Sequence, residues 1–241
     1  MRERADRLLV ERGIFESRAR AQEAIAAGLV RADGSPVRKP SEMIARAAEI
    51  EAAAPHPYVS RGGLKLAAAL DHFSLDPAGR TCLDLGASTG GFTEVLLNRG
   101  AHRVYAVDVG HDQLHARIAA DPRVISLEGM DARNLTGRDV PEPIDLLVAD
   151  VSFISLKLVL PPAIGFLAPR ATMAVLVKPQ FEAGPAHVRK GIVRDEAVHR
   201  TVCESMTHFV EGLGFTALGL APSPIEGGDG NREFLLGARR G

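Results

Sequence analysis

Residues Cys82–Leu97 read CLDLGASTGGFTEVLL: an apolar run of strand length, a glycine-rich turn, then an amphipathic stretch of helical period. Strand, glycine turn and helix in that order form the nucleotide-binding unit of a doubly wound α/β fold, whose ligands sit beyond the carboxyl ends of the strands where strand order reverses. The dinucleotide version of the turn keeps a middle glycine so that a pyrophosphate can approach the backbone amides. Here Ser88 occupies that place and narrows the approach. Asp84 stands just ahead of the glycines, where a carboxylate repels phosphate and attracts an ammonium group.

Downstream of Arg80, strand-like runs alternate with helical stretches: TCLDLG, RVYAVDVG, RVISLEG, DLLVADVSF and TMAVLVKPQF, then FTALGLAPS and REFLLGARR. Five runs separated by helices predict a parallel sheet with helices on both faces. The last two runs leave no room for a helix between them, so the final strand is expected to return antiparallel. The resulting fold class is α/β, a Rossmann-like seven-stranded sheet over residues 59–241.

Residues 1–58 form a separate unit. Leu8, Leu9 and Val10 belong to a first helix stopping at Gly13; Ser17 offers an N-cap for a second, RARAQEAIAA, and Gly28 ends it. LVRADGSPVRKP then reads as two short strands around an Asp33-Gly34 turn. Pro55 and Pro57 suit a semi-rigid linker, and a helical apolar pattern resumes over Leu64–Leu70.

With 241 residues and 46% apolar side chains, the chain can bury one good-sized core plus a small module. MRERADRLLVERG carries charges of both signs where a signal peptide needs an apolar core, and no run approaches the length of a membrane span, so the cytoplasm is expected. The two cysteines, Cys82 and Cys203, read as structural thiols. A net charge of -1 gives no bulk attraction to nucleic acid, so a polyanion site has to come from local clustering of basic groups.

S-adenosylmethionine has no phosphate; it carries an amino acid, a sulfonium and an adenosine. Asp84 suits the amino end, and the backbone of Gly86, Ala87, Ser88, Thr89, Gly90 and Gly91, leading into Phe92, suits the methionine part. Asp108, followed by Val109, suits the ribose, Asp131 in EGMDARNL suits the adenine, and Asp150 stands at the end of strand four. Spacing alone allows Asp131 an equal role as a helix N-cap.

Two lysines lie in apolar surroundings, Lys178 in AVLVKPQF and Lys65 in RGGLKLAAAL, and two acids sit at equivalent strand ends, Asp150 and Glu233. An isolated lysine beside apolar surface usually snorkels to water. If the strand ends converge, however, these four groups meet beside the ligand. Methyl transfer to a hydroxyl needs such a set, because an alcohol is a weak nucleophile and a neutral lysine amine can take its proton. Desolvation and a second ammonium favour the neutral amine; the carboxylates oppose this and hold the geometry.

SRARAQEAIAAGLVRADGSPVRKP resembles the small RNA-binding domain named after ribosomal protein S4. YVSRGGLKL, LDLGASTGGFT, VDVG, DLLVADVSFISL, VLVKPQFE, KGIVRD and GNREFLL, in that order behind it, are similar to the TlyA family, rRNA 2′-O-methyltransferases historically labelled hemolysin A. The resemblance covers nearly the whole chain. It implies a class I methyltransferase fold with an FtsJ-like catalytic tetrad, here Lys65, Asp150, Lys178 and Glu233. Lys178 would be the base on the 2′-hydroxyl; Lys65 and Asp150 would position nucleophile and methyl donor, and Glu233 would support the lysine. The implied cofactor is S-adenosylmethionine, and the implied substrate is cytidine in ribosomal RNA or ribosomal subunits.

By the same resemblance Arg4, Arg18 and Lys39 are expected at RNA phosphates, with Arg7 and Arg20 in support and Arg61 beyond the linker. With ten Lys/Arg and nine Asp/Glu in residues 1–60, the alternative is solvated ion pairs with Glu3, Glu11 and Glu23. Phe153 can stack on a splayed-out base or pack in the core. His111 and His115 share a helical face at metal-ligand spacing but lack a third ligand, as do His199 and Cys203, so no metal is expected. The rival readings are an RNA-binding protein with an inactive methyltransferase domain and a membrane-active hemolysin.

Overall fold

The computed structural model describes residues 1–227 and 230–241. The chain divides into two compact units, Met1–Pro57 and Tyr58–Gly241.

The first unit runs β1 (Arg2–Arg4), α1 (Ala5–Glu11), α2 (Arg18–Ala26), β2 (Val30–Ala32), β3 (Ser35–Pro36), β4 (Met43–Ala45) and β5 (Ile50–Ala52). The Ser17 hydroxyl accepts the Arg20 N–H at 3.3 Å and starts α2. Asp33 and Gly34 both take positive φ, 50° and 72°, as a two-residue hairpin between β2 and β3 requires. Leu8, Leu9, Ala21, Ala24, Ile25 and Val30 fill the core. Three of the strands, β1, β4 and β5, pair as β1–β4 and β5–β2 and were not foreseen; at three residues each they are too short to show an alternation.

The second unit opens with α3 (Gly62–His72), followed by β6 (Thr81–Leu85), α4 (Gly91–Asn98), β7 (Arg103–Asp108), α5 (Ala116–Ala119), β8 (Val124–Glu128) and β9 (Ile144–Ala149). It closes with α6 (Leu156–Ala163), β10 (Leu167–Val177), α7 (Pro179–Glu182), α8 (Glu196–Gly212), β11 (Thr216–Pro222) and β12 (Phe234–Arg239). The seven strands order as β11-β12-β10-β9-β6-β7-β8. The five from β10 to β8 are parallel, and β12 runs antiparallel between β10 and β11. Alternating residues feed two cores: Leu83, Leu85, Leu147 and Val175 on one face, Cys82, Val104, Leu146 and Ala174 on the other. Burial on both faces explains why these strands read as continuous apolar runs. It also makes Cys82 an inert core thiol, pushed up to about 12 mainly by desolvation.

The chain leaves β6, builds outward through β7 and β8, and returns to β9 on the other side of β6. That reversal sets the switch point at the carboxyl ends of β6 and β9.

Two expectations change. The segment around His111 is not helical: α5 is a single turn starting after His115, whose Nδ1 accepts the Arg117 N–H at 3.2 Å, so the two histidines share no helical face. DLLVADVSF is strand only to Ala149; the rest is a loop in which Phe153 takes φ +64°.

Candidate active site

The glycine turn is shaped by close approach. Gly86 has φ +83°, and a Cβ there would lie 2.6 Å from the Asp150 carbonyl oxygen, so β9 packs directly on the turn. A Cβ on Gly91 would collide with the Ser60 hydroxyl, which brings the lead-in to α3 against the start of α4. Val59 N–H donates to Glu94 Oε2 of α4 at 2.5 Å and fixes the same approach.

Ser88, at φ +46°, holds the left-handed conformation without being glycine. Its amide donates to Asp108 Oδ2 at 2.8 Å, and Gly110 N–H donates to Asp108 Oδ1 at 2.8 Å. The amide that a phosphate would take is therefore already committed to a carboxylate. Asp84, fully buried, accepts the Thr93 hydroxyl on Oδ2 at 2.6 Å and leaves Oδ1 without a partner. Desolvation pushes its carboxyl up to about 7, against the pull of the Thr93 hydrogen bond and with a further push from Asp150. A buried, half-satisfied carboxylate at a strand end suits an incoming ammonium. Together with Asp108, whose oxygens retain lone pairs for hydroxyl donors, it fits S-adenosylmethionine better than a pyrophosphate.

A cleft of ≈ 420 Å³ opens at this switch point, lined among others by Gly86, Ser88, Asp108, Asp131, Asp150 and Phe153. Asp131 shows both roles weighed from the sequence. It lines the cleft, and it caps the short turn after it by accepting Arg133 N–H at 2.9 Å. Its ion pair with Arg133 at 2.6 Å holds the carboxyl below the usual range. Ala87 and Phe92 are buried beneath the turn, and Val109 is exposed on the cleft rim.

Two buried ion pairs stand at the same end of the sheet. Lys65 Nζ, on α3, donates to Glu233 Oε2 at 2.5 Å. Lys178 Nζ lies 2.7 Å from Asp150 Oδ1, off the direction of a hydrogen bond, and donates to Ser152 Oγ at 2.8 Å. Both lysines are 7% exposed and Glu233 is 4% exposed. The antiparallel register pairs Val177 with Phe234, so Lys178 and Glu233 leave neighbouring strand ends. Asp150 Oδ2 lies 3.7 Å from where a Cβ on Gly62 would be, one helical turn before Lys65. The four groups singled out in the sequence thus gather at one end of the sheet as two pairs.

Phe153 is 92% exposed, which removes the core-packing alternative, and its ring lies 5.3 Å from that of Phe181. Bulky residues rarely hold positive φ, and such strain collects at functional loops. Sequence reasoning missed Thr93, Ser152 and Arg133. Thr93 follows Asp84 by a strand-to-helix turn, a spacing that carries no distinct pattern of its own.

In the first unit Arg4 and Arg18 both bind the buried Asp6, at 3.0 and 2.7 Å. Arg20 bonds the His56 ring and carbonyl and lies 3.7 Å from Glu23. Glu3 and Glu11 pair with Arg46 rather than with the arginines expected. Arg7, Lys39 and, in the second unit, Arg61 are exposed. Among the described residues no group of three or more His, Cys, Asp or Glu side chains could hold a metal, and no helix is long and apolar enough to cross a membrane.

Residues 58–240 match the FtsJ-like methyltransferase family and residues 3–50 the S4 domain. The chain is 44% identical to the 16S/23S rRNA (cytidine-2′-O)-methyltransferase TlyA of Mycobacterium tuberculosis, over 99% of this chain and 90% of that one. A solved structure from Streptococcus thermophilus that carries the hemolysin name is 43% identical, covering 99% of this chain and 88% of that one, with a TM-score of 0.79. The N-methyltransferase NodS of Bradyrhizobium japonicum, 16% identical, shares the fold alone, with a TM-score of 0.54 over 77% of this chain and 98% of that one. A seven-stranded class I methyltransferase sheet, an S4 domain ahead of it and this level of identity lead to one assignment: the chain belongs to the TlyA (hemolysin A) family of FtsJ-like methyltransferases.

Proposed function

We propose that this chain transfers a methyl group from S-adenosylmethionine to the ribose 2′-hydroxyl of a cytidine in ribosomal RNA, as a cytoplasmic enzyme acting on ribosomal subunits or their free RNA. The observation that carries the reading is the pair of buried ion pairs, Lys65–Glu233 and Lys178–Asp150, the second of which reaches, through Asp150, the cleft lined by Asp108 and the glycine turn.

When bound, the cofactor supplies a methyl carbon on a sulfonium sulfur; the carbon–sulfur bond breaks as the carbon–oxygen bond forms, leaving a neutral thioether. Asp84 Oδ1 would take the ammonium of the amino acid end, the Gly86–Gly91 backbone would hold the methionine part, and Asp108 would accept from the ribose hydroxyls. Asp131 and Arg133 would hold the adenine end. Lys178 Nζ accepts the proton of the RNA 2′-hydroxyl, which requires the neutral amine. Lys178 is 7% exposed, and Asp150 Oδ1 at 2.7 Å fixes the direction of its Nζ. Lys65, held by Glu233, presents its remaining donors to the target ribose. Phe153 stacks on the extruded base, and the basic side chains of the first unit hold phosphates away from the reaction.

The test is transfer of labelled methyl from S-adenosylmethionine to 16S and 23S rRNA, free and in subunits, followed by mapping of the modified ribose. Label on a cytidine 2′-oxygen is expected; no transfer to any of these forms refutes the reading. Lys178→Ala should lower transfer by at least about 100-fold with cofactor affinity retained. Undiminished turnover by this variant would remove Lys178 as the base. Wild-type protein that binds rRNA but transfers nothing would instead support the inactive-domain alternative.

A further inference from the structure

Asp6 is 0% exposed, yet it belongs to the unit expected to bind a polyanion. A carboxylate opposes phosphate binding, so its presence beneath this surface calls for a reason other than charge. Arg4 donates to it twice, from Nε to Oδ1 at 3.0 Å and from Nη2 to Oδ2 at 3.1 Å. Arg18 donates from Nε at 3.2 Å and from Nη2 at 2.7 Å, both to Oδ2. Gln22 Nε2 adds a fifth bond at 3.0 Å, also to Oδ2. The Arg4 guanidinium, first among these partners, holds the Asp6 carboxyl well below the usual range, so it stays charged.

Both arginines remain accessible above this floor, their side chains 39% and 50% exposed. Each guanidinium has five N–H groups. Two on each go to Asp6, leaving three on each for a ligand. Two guanidiniums and one carboxylate leave a single positive charge, matched to one phosphodiester. Asp6 also ties in the loop that carries Lys39: its own N–H donates to the Pro40 carbonyl at 3.0 Å, and Ala5 N–H donates to the Glu42 carbonyl at 2.8 Å.

Stability alone does not explain the arrangement. A buried ion cluster is often matched or exceeded by an apolar replacement of similar volume, whereas a fixed guanidinium fork loses less freedom for each bond it makes to a phosphate. We infer that Asp6 is a positioning residue of the RNA-binding face, its buried carboxylate holding Arg4 and Arg18 as a two-guanidinium seat for one RNA phosphodiester. The inference rests on the RNA-methyltransferase reading above and adds to it the residue that sets the seat.

The experiment uses the full chain and measures binding to 16S and 23S rRNA transcripts across a salt series, with methyl-transfer kinetics on the same RNA. Arg4→Gln/Arg18→Gln should weaken binding by at least about tenfold and lower the salt slope by about 1. Asp6→Asn in the otherwise native chain should weaken binding by about fivefold or more, raising KM for RNA with kcat at saturation unchanged. In the Arg4→Gln/Arg18→Gln background the same substitution should change affinity by less than about twofold, because the seat it organises is already gone. A purely structural Asp6 would cost the same affinity in both backgrounds, and that result overturns the inference. If Asp6→Asn melts below the assay temperature, Asp6→Glu decides. It keeps the charge but displaces both guanidiniums by a methylene, so unchanged RNA affinity overturns the inference. Wild-type protein that binds none of the transcripts refutes the RNA reading itself, a result distinct from intact wild-type binding that Asp6 substitutions leave unmoved.

Discussion

Cofactor affinity should be proton-linked through Asp84. Its carboxyl sits at about 7 because burial removes it from water, with Asp150 and Asp108 adding negative potential and the Thr93 hydroxyl pulling the other way. A protonated Asp84 offers an ammonium no charge, so the proton must leave before or as the cofactor binds. Affinity therefore rises with pH and levels off above about 7. With half the sites ionised at that pH and about one in eleven a unit lower, affinity should be about fivefold weaker at pH 6 than at pH 7, then fall about tenfold per further unit. Calorimetric titration between about pH 5.5 and about pH 7.5 reads this directly and avoids the cofactor's own amino group, which titrates at about 7.7–8.0. Heats in buffers of different ionisation enthalpy should show about half a proton released per site at pH 7. Asp84→Asn should bind more weakly and without the slope. Stability moves the opposite way. An acid raised in the folded state contributes stability below its unfolded value near 3.8, and that contribution is lost as pH rises through about 7. Above pH 7 the substitution should then stabilise the cofactor-free protein, by up to about 4 kcal/mol. A wild-type affinity that changes less than about twofold over the window, or an Asp84→Asn variant with the same slope, would refute the assignment.

The Lys65–Glu233 pair should be structurally unforgiving as well as needed for transfer. Lys65→Met leaves a carboxylate buried without its partner and should lower stability by about 3–5 kcal/mol, while Lys65→Met with Glu233→Gln should recover most of that in a denaturant melt and still transfer no methyl. Phe153→Ala should leave stability within about 0.5 kcal/mol, because the ring is 92% exposed. If the ring stacks on a base, the same change should lower kcat/KM for RNA by about 5- to 100-fold in the transfer assay, and an unchanged value would remove the stacking role.

The methyltransferase sheet was legible because each parallel strand is buried on both faces. The requirement that Leu83 and Leu85 face one core while Cys82 faces the other leaves an unbroken apolar run between polar turns. The four residues proposed as a tetrad stood out for the inverse reason: a lysine or an acid at the end of such a run is where burial and charge conflict. What could not be read depended on pairing between distant short segments. Strands β1 and β4 have three residues each, and the fork beneath Arg4 and Arg18 joins residues 4, 6, 18 and 22 through a side chain whose burial no local pattern signals. The segment at His111 and His115 misled because a four-residue spacing appears by chance wherever two histidines lie in a polar stretch; the Glu128 carboxylate accepting Gln113 N–H at 2.6 Å and Leu114 N–H at 3.0 Å holds that segment in a turn instead of a helix.

The substitution of serine for the middle glycine follows from the same accounting of donors. Left-handed backbone disfavours Ser88 by about 1 kcal/mol, so something has to hold it there. The Asp108 carboxylate does, by accepting the Ser88 and Gly110 amides at once. A dinucleotide site needs its turn amides open and its surroundings free of negative charge close by, which is why it keeps glycine there and places its single acid at the ribose. This turn has an acid on either side, Asp84 buried behind it and Asp108 in front. Once Asp108 has closed the phosphate route, the glycine has no ligand to admit and a side chain becomes tolerable. The unsatisfied oxygen then belongs to Asp84, so the turn is expected to prefer an ammonium over an anion. On the proposed reading the choice of ligand is set by which of the two carboxylates is committed to the turn amides and which keeps an unpaired oxygen.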